Sequence, residues 1–248
     1  MLRNSAEIHG DVNAYAVPAG VLINNLDAYK AAGSMEAFLQ TLDPSEYLSM
    51  QHNVSVEGNV NLKTSSSWTH KYTYAYSSEM PEIPESKVKV VRNGETYRLK
   101  DGDEFYTLRV ESGATLIVEP GEMFVSHLLQ IEPHSNIRFA EPGKGTVLHT
   151  NGSIIWRSYN SEPASNTQYW TNVAKGFKLA HHSSKAVYFE GLWAGTIFAP
   201  KAKIIMGQVS KTIYGRILGR DVVVHQFAKV YRVDFAPTDV MQIAYLAD

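Results

Sequence analysis

Hydrophobic and polar positions along this chain alternate in short bursts. Runs such as KVKVV (87–91), TLRV (107–110), TLIV (115–118), NIRF (136–139), TVLH (146–149), SIIW (153–156), AVYF (186–189), GTIF (195–198), KIIM (203–206) and DVVV (221–224) are bounded by Gly, Pro, Asn or Ser. That is the pattern of β-strands ended by turns. One stretch differs. In NNLDAYKAAGSMEAFLQTLDP the residues Leu26, Tyr29, Ala32, Met35, Phe38, Leu39 and Leu42 fall at helical spacing and Pro44 forbids continuation, which predicts a helix over about 25–42. It reads as an insertion in a strand-rich fold.

Strands so spaced admit a sandwich, a barrel or a solenoid, and internal repetition decides among them. ESGATLIVEPG (111–121) is echoed by EPHSNIRFAEPG (132–143), so that Leu116 and Val118 answer to Ile137 and Phe139; Leu108 and Val110 recur in the same way as Leu129 and Ile131. AEIHGDVNA (6–14) is echoed by VSVEGNVNL (54–62), with Ile8 over Val56 and Val12 over Val60. Near the C-terminus, GTIFAPKAKIIM (195–206) recurs as GRILGRDVVVHQ (215–226), placing Gly195 over Gly215, Ile197 over Ile217 and Ile204 over Val224. A sandwich has no reason to keep a fixed period, whereas a parallel β-helix spends about 20–22 residues on each coil and stacks inward residues about 4.8 Å apart. The expected fold is therefore all-β, a parallel β-helix (β-solenoid) forming a single domain over 1–248. A helical insertion at about 25–42 and a lateral loop at about 158–173 interrupt it, and the helix and the tail 239–248 are expected to cover open strand edges.

Composition changes this picture little. The 248 residues are 44% hydrophobic and 19% charged, with a formal net charge of −2 and no cysteine. Cysteine chemistry, thiolate metal sites and a disulfide framework are excluded, and global charge gives no pull toward nucleic acid or an anionic membrane. No run approaches a membrane span, and the N-terminal MLRNSAEIHGDVNA lacks the basic-then-apolar order of a signal peptide. The chain as given is expected to be soluble, with no membrane insertion.

Enzyme signatures are missing: no H-E-x-x-H, no G-x-S-x-G and no phosphate-cradling glycine loop. His181 and His182 are adjacent, so on a strand they face opposite sides and cannot jointly chelate a metal without ligands from elsewhere; a turn histidine pair is the favoured reading. Asp101, Asp103 and Glu104 in KDGDEF read as a solvated turn rather than a calcium loop. Glu111, Glu119, Glu132 and Glu141 sit beside turns, where they meet solvent more readily than substrate. Neither a cofactor nor a metal is expected, and the protein is read as not an enzyme.

Two aromatic groups are candidates for binding. In WTHKYTYAYSS, Tyr72, Tyr74 and Tyr76 share one strand face with Trp68 nearby, a row suited either to stacking sugar rings or to packing on a neighbouring segment. The second is YNSEPASNTQYWTN (159–172), a polar excursion carrying Tyr159, Tyr169 and Trp170. Loops that leave a regular scaffold commonly contact partners, so a binding site is placed there first; the alternative is a loop that folds back and buries Trp170. Acidic residues over 101–141 and the basic Lys201, Lys203, Lys211, Arg216, Arg220, Lys229 and Arg232 leave room for head-to-tail self-association, but lateral solvated faces are the favoured reading.

The GDVNA start followed by a helical insertion, the middle YTLRVESGATLIVEPGEMFVSHLLQIEPHSNIRF, and the closing GTIFAPKAKIIM…IYGRILGRDVVVHQFAKVYRVDF together resemble the adhesin-like domain of the choice-of-anchor A family. Gly195, Ala199, Pro200, Ala202, Gly215 and Asp234 carry the closing pattern, and RILGRD and the tail after Asp234 depart from it. The resemblance implies a right-handed parallel β-helix at a microbial cell surface or outside the cell, an adhesin-like or structural protein without catalytic residues. The function expected from all of this is non-enzymatic binding of a glycan (carbohydrate) or a surface protein through a lateral face or the 159–172 loop. A pectin-lyase-like polysaccharide lyase or hydrolase and an end-to-end polymerising scaffold are the alternatives.

Overall fold

The structure, a computed structural model, describes residues 7–9, 12–14, 31, 55–56, 60–62, 79–158, 165–207 and 211–237. The N-terminal strands are β1 (Glu7–His9), β2 (Val12–Ala14), β3 (Ser55–Val56) and β4 (Val60–Leu62). There follow β5 (Val88–Val91), β6 (Thr96–Leu99), β7 (Glu104–Val110), β8 (Thr115–Val118), β9 (Gly121–Ile131), β10 (Asn136–Phe139), β11 (Thr146–Thr150) and β12 (Ser153–Trp156). Helix α1 (Thr167–Gly176) leads into β13 (Phe177–His181), and β14 (Val187–Phe189), β15 (Trp193–Met206), β16 (Lys211–Val224) and β17 (Ala228–Arg232) complete the series. The helix predicted over 25–42 lies outside the described residues except Ala31, which is helical, and the tail 239–248 lies outside them altogether.

Among the described residues every strand pairing is parallel. The echoes in the sequence are register partners: Leu116 pairs with Ile137, Val118 with Phe139, Leu108 with Leu129, Ile8 with Val56 and Val12 with Val60. Gly195 pairs with Gly215 and Ile197 with Ile217, but a register shift between Ala199 and Lys203 sets Ile204 against Val222 rather than Val224.

The expected β-helical solenoid is nevertheless not the fold. Six strands close on themselves into a parallel barrel, in the order β13-β11-β9-β12-β14-β15 and back to β13, with outer strands and the short helix around them. Closure depends on two long strands. Residues 121–125 of β9 pair with β11 while 128–131 pair with β12; residues 196–198 of β15 pair with β13 while 204–206 pair with β14. The repeat suggested separate short strands divided by turns. GEMFVSHLLQI does not break at Ser126, and the strand through Ala199–Pro200 does not break at the proline, so each ladder is carried into the next.

The core follows from alternation along these strands. Val91, Val110, Ile131, Trp156, Phe189, Met206 and Val224 are successive register partners and are all buried. Trp193 packs against Trp156 with ring centroids 4.9 Å apart, Phe177 at 5.3 Å and Phe189 at 4.6 Å, and its indole N–H donates to the Gly195 carbonyl at 3.0 Å. Among the described residues no helix is long and apolar enough to cross a membrane.

Candidate functional site

The strongest concentration of polar chemistry lies across β9, β11, β13 and β15. Met123, Leu148, Leu179 and Ile197 are register partners in the core. Their chain neighbours turn to the opposite face, where one row reads Glu122, Val147, Lys178, Thr196 and the next reads Phe124, His149, Ala180, Phe198. This face is not a solvated surface. Val147, His149, Lys178, Ala180, Thr196 and Phe198 are all buried, and Glu122 and Phe124 are half-buried.

His149 is the hub. Its Nδ1 lies 3.0 Å from His182 Nε2, and its ring stacks on Phe124 with centroids 4.9 Å apart and planes 15° from parallel. Its Nε2 makes no hydrogen bond and faces Glu122 Oε2 at 3.7 Å. One proton arrangement suits both contacts: His182 Nε2–H donates to His149 Nδ1, and His149 Nε2–H points at the Glu122 carboxylate. Lys178 lies on the same face with Nζ 5.3 Å from the Phe198 ring centroid.

On the other side of the sheet, His181 Nε2 donates to the Lys185 carbonyl at 2.9 Å, which leaves Nδ1 to accept from the Thr150 hydroxyl at 3.0 Å. Adjacent histidines thus face opposite ways, as strand geometry requires, and each is tied to β11. Among the described residues no group of three or more His, Cys, Asp or Glu side chains is placed to hold a metal ion.

Burial dominates the electrostatics of the site. It lowers His149, His181 and His182 from 6.5 to about 4; Glu122 partly opposes this at His149, and for His182 the charges of His149, His181, Lys201 and Lys178 push further down. Lys178 is lowered from 10.5 to about 8 by burial, partly offset by Glu122. A histidine whose pKa is lower in the folded than in the unfolded chain takes its proton first on unfolding. Its contribution is therefore intact above about pH 6.5 and lost as pH falls from there to about 4. His149 and His181 each weaken the fold by up to about 1.4 kcal/mol per pH unit in that window, and the more open His182 weakens it by less because solvent screens its charge. Urea unfolding at a series of pH values should show this fall; flat stability from pH 6.5 to 4 would contradict it.

No family model matches the chain, and no curated protein and no solved structure matches it. The adhesin and cell-surface reading leaned on the β-helix and on the resemblance to choice-of-anchor A domains. With the barrel replacing the solenoid, it has no support from the fold.

Of the aromatic residues singled out from the sequence, the structure describes Tyr169 and Trp170. Trp170 is fully buried in α1 and stands edge-on to Tyr169 at 4.8 Å. Tyr169 is half-buried, its hydroxyl accepting from the Phe139 amide at 3.4 Å. The segment expected as a lateral loop over 158–173 therefore includes the start of a helix, capped where the Asn166 side chain accepts from the Tyr169 amide at 3.2 Å. Tyr159, Trp68, Tyr72, Tyr74 and Tyr76 lie outside the described residues. Sequence reasoning missed Glu122, His149 and Lys178. The available signal was TVLHT and FKLAHH, two runs in which a polar residue is embedded among strand formers.

Proposed function

We propose that this chain is a non-enzymatic binding domain that receives a glycan chain along an outer sheet face. The observation that carries this is a row of register partners crossing seven strands: Val90, Arg109, Gln130, Ile155, Tyr188, Ile205 and Val223 on β5, β7, β9, β12, β14, β15 and β16. Each is half-exposed, unlike the buried row beside it. Parallel strands set such residues about 4.8 Å apart. Apolar Val90, Ile155, Ile205 and Val223 share the row with hydrogen-bonding Arg109, Gln130 and Tyr188, matching a sugar ring's apolar faces and hydroxyl rim. One ion pair ties the row to its border, Arg109 Nη2 sitting 2.5 Å from Glu132 Oε1, and another lies beside it, Arg157 Nε sitting 3.4 Å from Glu190 Oε2.

A lyase or hydrolase would draw its acid and base from Glu122, His149 and Lys178. His149 and Lys178 are closed off from solvent, which favours binding over turnover.

A glycan array run with wild type and with the double variant Ile155→Asp/Ile205→Asp tests the proposal. The variant should lose at least about tenfold in affinity, equivalent to about 1.4 kcal/mol, while its thermal transition stays close to that of wild type. Equal retention by both proteins would exclude this face, and retention of proteins instead of glycans would change the partner class.

A further inference from the structure

We propose that the His149–His182 pair, backed by Glu122, is an acid-operated latch: with one shared proton it holds the end of β13 against β11, and a second proton releases it. The geometry makes the pair strictly proton-limited. At 3.0 Å, one ring nitrogen must donate and the other must accept. If both rings become imidazolium, every ring nitrogen carries a hydrogen, and two N–H groups then point at each other with no acceptor between them.

Among the described residues, positive groups outnumber negative ones around the pair. Among the described residues, the charged and titratable groups acting on the pair are Glu122 on β9, Lys178 on β13, Lys201 on β15, and His181 from the opposite face. One carboxylate thus stands against two lysines and up to two imidazolium rings. His149 is fully buried and stacked on Phe124, whereas His182 is half-buried and lies one residue past the end of β13. His182 is the ring that leaves. Its backbone amide donates to the Thr150 carbonyl at 2.8 Å, so release strains the contact that ends the β11–β13 seam. The adjoining His181–Thr150 bond lies at that same end. The opening is local, because β5, β7 and β12 contain none of these groups.

Amide hydrogen exchange, expressed as protection factors, reads the latch directly. Between about pH 6 and pH 4, protection at Thr150 and His182 should fall by at least about tenfold, while Leu108 and Leu129 keep theirs. His182→Gln keeps a donor for His149 Nδ1 but cannot take a second proton, so its seam should stay protected over that range. An equal loss in His182→Gln, or no loss in wild type, overturns the latch. A histidine ring titration of wild type is an independent check should the variant not fold. Coupled titration of His149 and His182 below about pH 5 supports the proposal, and ordinary titration of both near 6.5 overturns it.

Discussion

Replacing Trp170 by alanine is expected to lower stability by about 3–5 kcal/mol, a shift in melting temperature on the order of 10 °C for a chain of this size. Trp170 has no exposed surface and packs in the core cluster with Val173 and Ala174, one helical turn before Phe177, which in turn meets Trp193. Removing the indole leaves a cavity beside α1 that rigid neighbouring strands cannot close. A tryptophan that stacked on a ligand would behave otherwise: alanine would weaken binding and leave the denaturation midpoint unchanged. Urea unfolding separates the two cases, and an unchanged midpoint would return Trp170 to the ligand site.

Gly215→Ala should be at least as damaging, with a loss of about 4 kcal/mol or more and poor recovery of soluble protein. Gly215 pairs with Gly195 where β15 and β16 run together, and its φ is +143°. A Cβ there would sit 2.0 Å from the Gly195 carbonyl oxygen and 2.7 Å from its carbonyl carbon. Both obstacles are backbone, so relief requires separating two paired strands. Gly94→Ala is the control: its φ is +79° with nothing within 4 Å of the added carbon, so it carries the backbone penalty alone, about 1 kcal/mol. Circular dichroism melts of both variants test the contrast, and equal melts would show that close approach of strands is not what Gly215 serves.

Strand positions were legible wherever turn residues bounded them. TLIV, NIRF and SIIW coincide with β8, β10 and β12, and the echo of Leu116 in Ile137 is a true register. Legibility failed where strands ignore punctuation. GTIF and KIIM read as two strands across Pro200, yet both belong to β15, and a register shift after Ala199 absorbs the irregularity. Such continuations close the barrel, and a repeat period carries no information about them. Helix α1 was hidden by the polar run around it, although Trp170, Val173, Ala174 and Phe177 have helical spacing behind an Asn166 cap.

The histidine site was only half visible. Strand alternation correctly sends His181 and His182 to opposite sides, but the partner of His182 is His149, 33 residues earlier. α1 lies between them and breaks the period that paired the other strands, so no repeat pointed from one histidine to the other. The outer row through Ile155 and Ile205 was equally hidden, because half-exposure depends on what covers a strand as well as on its own alternation.

The most direct measurement is the chain length of a glycan recovered from the wild-type protein after capture and elution. Binding through the outer face predicts a retained glycan of unchanged length. Shortened chains, or no retained glycan at all, would contradict a non-enzymatic glycan-binding role.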